Sequence, residues 1–338
     1  MLKRLAIFLV CAATAVAGAK DKDRTATTAW TFTELGTLGG NVSWATGINN
    51  AGDVIGWSGV LKGDYTDQDP EFHAFVYANG TIRDLGRAGD SSSAWSINDR
   101  GQVAGISFAD GVWLRAGAKP LAYLGFRGTP HDINGLGMMA GTYDAGGEFR
   151  AFTYRNGILS ELGTLGGNWS QAEAINDRGT VVGSSMNAAG QVRGFIHAKG
   201  RMRALDTFGG PNSQAYDVND RGVVVGSAGN ATNGVQAFIH DGVMRPLFPA
   251  THPQEISEAL AINNRSQVVG TLHDAGFLWE SGRLTMLRSL LTAEQQARWG
   301  VLTPTGINDR GWIVGVASTD GVNGIPGGYR RAFLLKPR

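Results

Sequence analysis

The chain has 338 residues, with 30 Lys and Arg against 29 Asp and Glu, 50 glycines and one cysteine, Cys11. A formal charge of +1 supplies no electrostatic footprint for nucleic acid or an anionic membrane, and a lone cysteine excludes a disulfide framework. Glycine at this density weakens helix interiors and supplies the positive φ of tight turns, so short strands are expected.

In chain order, Met1-Leu2-Lys3-Arg4 is a short positive segment, residues 5–16 are an apolar run, and Ala17-Gly18-Ala19 places small residues at a cleavage site. This pattern predicts a secretory signal over 1–19, with Cys11 leaving in it and a secreted or periplasmic mature chain. The run falls short of the roughly 20 apolar residues that span a bilayer, so stable membrane insertion is not expected. Residues 20–29 read as a linker.

From residue 30 to 338 the chain repeats itself. ELGTLGGN stands at 34–41 and again at 161–168. A stronger signature occurs seven times: INNAGDVIG (48–56), INDRGQVAG (97–105), INGLGMMAG (133–141), INDRGTVVG (175–183), VNDRGVVVG (218–226), INNRSQVVG (262–270) and INDRGWIVG (307–315). Its asparagines are Asn49, Asn98, Asn134, Asn176, Asn219, Asn263 and Asn308, spaced 36 to 49 apart. Each Asn-x-x-Gly between β-rich runs is a hairpin signal. A second hairpin joins an aromatic strand to a strand ending in Leu-Gly, as in AFVYANGTIRDLG (74–86). One unit therefore runs aromatic strand, turn, Leu-Gly strand, Gly-rich loop, Ser-x-Ala-x-x-Ile strand, turn, Val-Val-Gly strand. Four antiparallel strands in roughly 40–45 residues make a propeller blade.

The fold expected is all-β: a single seven-bladed β-propeller of four-stranded antiparallel blades, with the C-terminal strand (331–335) joining the N-terminal blade to close the ring. Closure of this kind removes open sheet edges. The variable link from the Val-Val-Gly strand to the next aromatic strand is expected to cross between blades. A β-solenoid is the alternative, though its coils are usually shorter than this repeat.

His73-Ala74-Phe75, with Arg150-Ala151-Phe152, Arg193-Gly194-Phe195, Gln236-Ala237-Phe238 and Arg331-Ala332-Phe333, resembles the name-giving motif of the bacterial extracellular HAF-repeat proteins. The LGTLGG…S-x-A-x-x-I-N pattern at 35–56 and 162–183 resembles that family as well. The resemblance implies export and a propeller-like repeat, and implies no established reaction. Two units depart from it: Gly111-Val112-Trp113 replaces the aromatic motif in the second, and the third has only Gly125-Phe126-Arg127-Gly128 for its loop.

A phosphate cradle needs a different glycine spacing and a following helix, so the octapeptide reads as a structural module and no cofactor is expected. The repeated Asn reads as a side chain that caps its own turn. The acidic stretch 64–71 offers Asp64, Asp67 and Asp69 as a calcium candidate, against the plainer reading of a solvated loop.

Function belongs where the repeats disagree. Three residues before each Asn stand Thr46, Trp95, His131, Glu173, Tyr216, Leu260 and Thr305; five before stand Trp44, Ser93, Thr129, Gln171, Gln214, Glu258 and Thr303. Trp44, Trp95, His131, Glu173, Tyr216 and Glu258 are the expected ligand contacts, because aromatics among polar and acidic groups suit a carbohydrate or peptide. The alternative is ordinary variable strand surface. The reading is a monomeric, non-catalytic binding module. One alternative is a propeller glycoside hydrolase or lyase using Glu173, Glu258 and His131; another is a structural envelope or matrix protein. Residues 290–299 have helix-forming composition, with Thr292 as N-cap, Gln295 at the capping-box position and Trp299 as either packing anchor or exposed contact. This helix is expected on the candidate binding face.

Overall fold

A computed structural model describes residues 29–60, 71–86, 91–117, 119–320 and 329–338, and in it the repeats form seven four-stranded antiparallel sheets, the blades of a β-propeller. The predicted signal and residues 20–28 of the linker lie outside the described residues. After β1 (Trp30–Glu34), blade 1 consists of β2 (Ser43–Ile48), β3 (Val54–Gly59), β4 (Phe72–Ala78) and β5 (Thr81–Asp84). Blade 2 is β6 (Ser92–Ile97), β7 (Gln102–Ser107), β8 (Gly111–Ala116) and β9 (Ala122–Tyr123). Blade 3 is β10 (Gly128–Ile133), β11 (Met139–Asp144), β12 (Phe149–Arg155) and β13 (Ile158–Glu161). Blade 4 is β14 (Gly166–Ile175), β15 (Val181–Asn187), β16 (Val192–Ala198) and β17 (Arg201–Ala204). Blade 5 is β18 (Gly209–Val218), β19 (Val224–Asn230), β20 (Val235–His240) and β21 (Met244–Pro246). Blade 6 is β22 (Ser257–Ile262), β23 (Val268–Leu272), β24 (Ala275–Glu280) and β25 (Arg283–Met286). Blade 7 takes β26 (Val301–Ile307), β27 (Ile313–Ser318) and β28 (Arg330–Pro337), with β1 as its outermost strand.

The closing pair is the expected one: β28 runs antiparallel to β1 from Trp30↔Pro337 to Glu34↔Phe333. The division into blades is not. The variable link stays inside a blade, since β3 pairs directly with β4 (Val54↔Tyr77), and the Gly-rich loop carries the chain from one blade's outer strand to the next blade's inner strand. The reason is chemical rather than a matter of loop length. The Ser-x-Ala-x-x-Ile strand bears the side chains that meet on the axis, so it must be innermost, and the loop preceding it must travel from rim to centre.

Each gap between adjacent blades holds one apolar cluster, seven in all. Phe75, Trp113, Phe152, Phe195, Phe238, Phe277 and Phe333 are fully buried, one per blade, so Trp113 fills the aromatic place in the departing second unit. The glycine ending each Val-Val-Gly run lets the inner two strands approach. A Cβ on Gly56 would stand 1.9 Å from the Trp44 carbonyl oxygen, and one on Gly270 would stand 1.9 Å from that of Glu258.

Hydrogen bonds join the blades as regularly. In five blades a serine of the inner strand accepts an N–H from the aromatic strand of the preceding blade, as Ser92 Oγ does from Ala74 (3.1 Å) and Ser170 Oγ from Ala151 (3.0 Å). Arg150, Arg193 and Arg331 of the HAF-like motifs donate to the carbonyls of Asn168 and Pro211, within the neighbouring blade's inner strand, and of Asn41, just before it. The seven asparagines do cap their own turns through Oδ1; Asn219 Oδ1, for example, accepts from Arg221 N (3.1 Å) and Val223 N (3.0 Å). Each Nδ2 also donates to the carbonyl of the next asparagine around the axis. The cycle closes when Asn308 donates to Asn49 O (2.9 Å). This second role of the amide is invisible in any one repeat.

The short helix α1 (Ala293–Arg298) has the expected capping box between Thr292 and Gln295. Trp299 is its buried anchor, 6.3 Å from Phe32, and Arg298 pairs with Glu34 at 3.0 Å. The helix thus packs on the closing strand at the rim.

Candidate functional site

Every inner strand carries a β-bulge at the same place. The register slips between Ala45 and Gly47, Ala94 and Ser96, Pro130 and Asp132, Ala172 and Ala174, Ala215 and Asp217, Ala259 and Ala261, and Pro304 and Gly306. The extra residue is always the one three before the asparagine. A bulge re-aims its side chain, and here all seven, from Thr46 to Thr305, line a cavity of about 210 Å³ in the central channel. The framework thus turns its most variable position toward the axis.

On blades 2 to 4, Trp95 lies with its ring centre 5.4 Å from that of His131. His131 Nδ1 is 3.2 Å from Glu173 Oε2, and Gln171 donates its amide to Glu173 Oε1 at 2.7 Å. On blades 5 and 6, the Tyr216 hydroxyl lies 2.8 Å from Gln214 Oε1 and 3.0 Å from Glu258 Oε1. Burial raises the Tyr216 pKa; the Ser227 hydroxyl opposes this, and the charges of Glu258 and Glu173 add to it. Tyr216 is therefore a neutral hydroxyl that holds Glu258 in place.

Five of the six expected contacts gather on this side of the ring: Trp95, His131, Glu173 and Tyr216 in the channel, and Glu258 beside them. Glu258 faces a separate cavity of about 330 Å³, with Tyr216 on the wall shared with the channel. Glu173 lines the channel and Glu258 the second cavity, and Tyr216 feels the charge of both. Trp44 stands apart on blade 1, stacked on Trp57 at 5.9 Å with the Arg330 guanidinium 5.9 Å from its ring.

Two further acids stand in the channel: Asp132, which the sequence offers only as the neighbour of His131 for proton abstraction, and Asp217, which it did not single out. Asp132 accepts from Ser96 Oγ (2.7 Å) and, across the blade gap, from Ile175 N (2.9 Å). Asp217 accepts from Val218 N (2.7 Å) and from Ile262 N of the next blade (2.7 Å). Burial raises both; Asp217 is pushed up to about 7, with N–H bonds opposing and the charge of Asp132 adding. The only signal in the sequence was an acid two before the repeat Asn, where other units have Gly, Ser or Ala.

The opposite mouth, about 190 Å³, is ringed by the residues after each asparagine. Asn50 N donates to Asp99 Oδ1 (2.7 Å), and Asp177 N to Asp220 Oδ1 (2.9 Å). Gly135 leaves the one gap in this belt. Among the described residues no three His, Cys, Asp or Glu side chains are grouped to hold a metal ion, and Asp64, Asp67 and Asp69 lie outside the described residues. Nor is any helix among them long and apolar enough to cross a membrane.

The octapeptide has no ligand-cradling geometry. Gly39 takes φ 120°, and a Cβ on Gly40 would stand 2.6 Å from the Gly59 backbone, so the glycines serve a left-handed turn and a close strand approach.

A family described as a protein of unknown function (DUF3466) matches residues 170–323, which span blades 4 to 7. No curated protein matches the chain. Among solved structures, it is similar to the extracellular domain of a one component system from B. thetaiotaomicron, at 11% identity and a TM-score of 0.53, covering 90% of this chain and 39% of that one. The β-propeller domain of the Trilobed protease from Pyrococcus furiosus, described as having an open velcro topology, is similar at 11% identity with a TM-score of 0.57, covering 88% and 94%. Pyrococcus horikoshii acylaminoacyl peptidase is similar at 10% identity with a TM-score of 0.54, covering 81% and 49%. At these identities the likeness is one of fold: the chain is a β-propeller.

Proposed function

We propose that this chain is an exported, monomeric, non-catalytic binding module of the HAF-repeat kind. It takes a carbohydrate or peptide on the propeller face that carries the Gly-rich loops. One observation carries the reading: the bulge turns a freely varying position of all seven repeats into the channel, and the aromatic, imidazole and carboxylate groups among them collect on blades 2 to 5. A repeat protein that only filled space would have no reason to concentrate polar diversity there. Export rests on the 1–19 segment.

A thermal-shift series with oligosaccharides and short peptides tests this, because a ligand selective for the folded state raises Tm. A saturable rise for one class, reduced by His131→Ala, is expected. No rise with either class would leave a structural role as the better account.

A further inference from the structure

The cavity beside Glu258 exists because blade 5 is small where other blades are large. In blade 1 the equivalent space is occupied by Trp44 stacked on its cross-strand partner Trp57; in blade 5 the same pair is Gln214 and Ser227. In blade 4, Met186 stands against Gly167, whereas in blade 5 the residue in that place is Gly229, against Gly210. These replacements open about 330 Å³ between blades 5 and 6, the lower end of small-molecule pocket sizes (roughly 300–1,000 Å³).

Its lining has a definite chemistry. The only charge is the Glu258 carboxylate, whose Oε1 takes the Tyr216 hydroxyl (3.0 Å) and whose Oε2 has no partner among the described residues. Asn212 commits its carbonyl oxygen to Val192 N (3.1 Å), which leaves its NH₂ as a donor, and the Gln214 amide lies 2.8 Å from Tyr216 Oη, whose single proton serves Glu258. Asn233 is presented at the rim by a left-handed turn residue with φ 63°. Pro211 and Val235 add a small apolar wall.

A carboxylate acceptor beside amide donors pairs with vicinal hydroxyls, each both donor and acceptor, and a short apolar wall suits the C–H face of a pyranose. A phosphate or other anion would meet Glu258 with no cation in the lining to offset it. A peptide strand would need an unpaired strand edge, and both inner strands here are paired within their sheet or face the channel.

Building on the binding role proposed above, we infer that the cavity between blades 5 and 6 is a subsite for one or two residues of a neutral saccharide, held by Glu258, Gln214, Asn212 and Asn233. The test is titration of the purified protein by calorimetry with glucose, N-acetylglucosamine and their β-1,4-linked disaccharides, and with an uncharged tripeptide. The wild-type protein is compared with Gln214→Ala, Glu258→Gln, Asn233→Gly and Trp95→Ala. Asn233→Gly keeps the left-handed backbone, so it reports on the side chain alone, and unchanged Tm confirms that each variant is folded. Saturable saccharide binding weakened at least tenfold by Gln214→Ala and at least threefold by Asn233→Gly is the expected result. Saccharide binding that is lost in Trp95→Ala and kept in Gln214→Ala and Asn233→Gly would overturn the subsite and leave the channel reading standing. Binding of the tripeptide alone would overturn the saccharide assignment, and binding of neither probe would overturn subsite and saccharide role together.

Discussion

Replacing Asn219 by Ala removes three hydrogen bonds at once. Its Oδ1 accepts from Arg221 N and Val223 N, and its Nδ2 donates to Asn263 O of the next blade at 3.1 Å, all at a residue 4% exposed. Truncation leaves two N–H groups without partners, each costing about 1–3 kcal/mol, while the Asn263 carbonyl keeps the Ser266 N–H at 3.0 Å. Water entering from the adjacent cavity relieves part of this, so a loss of about 2–4 kcal/mol is expected, a large share of a typical stability of about 5–15 kcal/mol. Asn219→Asp separates the two roles, because a carboxylate still accepts both turn N–H groups but presents an acceptor to the Asn263 carbonyl. It should therefore be destabilised at neutral pH and recover in acid, where the protonated carboxyl donates as the amide did. Urea unfolding followed by tryptophan fluorescence measures both. If Asn219→Ala costs under about 1 kcal/mol, near the size of a surface substitution, the asparagine cycle is not what holds adjacent blades in register.

Two further outcomes follow from the inner strands. Gly270→Ala places a Cβ 1.9 Å from the Glu258 carbonyl oxygen and 2.8 Å from the Phe277 ring, so the two strands must part; a loss above about 3 kcal/mol is expected in the same unfolding assay, and a Tm within a few degrees of the parent would contradict it. Asp217, raised to about 7 from an ordinary 3.8, binds its proton more tightly folded than unfolded, so its contribution falls as pH climbs from about 4 through 7. Between pH 5 and pH 8 it should remove about 2–3 kcal/mol. His73 acts in the same direction: burial lowers its pKa, but bonds to Asp84 and Glu71 outweigh this and raise it, and the stability that they add is lost as pH rises past that value. The readout is therefore the difference in pH slope between Asp217→Asn and wild type; equal slopes would refute the assignment to Asp217.

The repeated residues alone determined the seven units, their four strands, the turn-capping asparagines and the pairing of the two chain ends. Each of these is written in local pattern: Asn-x-x-Gly makes a turn wherever it stands, and Thr292 with Gln295 caps a helix without help from the rest of the fold. The site residues facing the axis were legible only as positions where the repeats differ, and the sequence could not say that Trp95 and His131 share a cavity while Trp44 is spent on Trp57. Tertiary structure decided three things. It made the Gly-rich loop, not the variable link, the passage between blades, because a cyclic repeat reads the same wherever its unit is cut. It turned each asparagine amide toward the next, a bond between residues 36 to 49 apart or, at the closing step, 259 apart. It also opened a cavity beside Glu258, because the empty space depends on Ser227 and Gly229 being small together, at places set only when neighbouring blades pack.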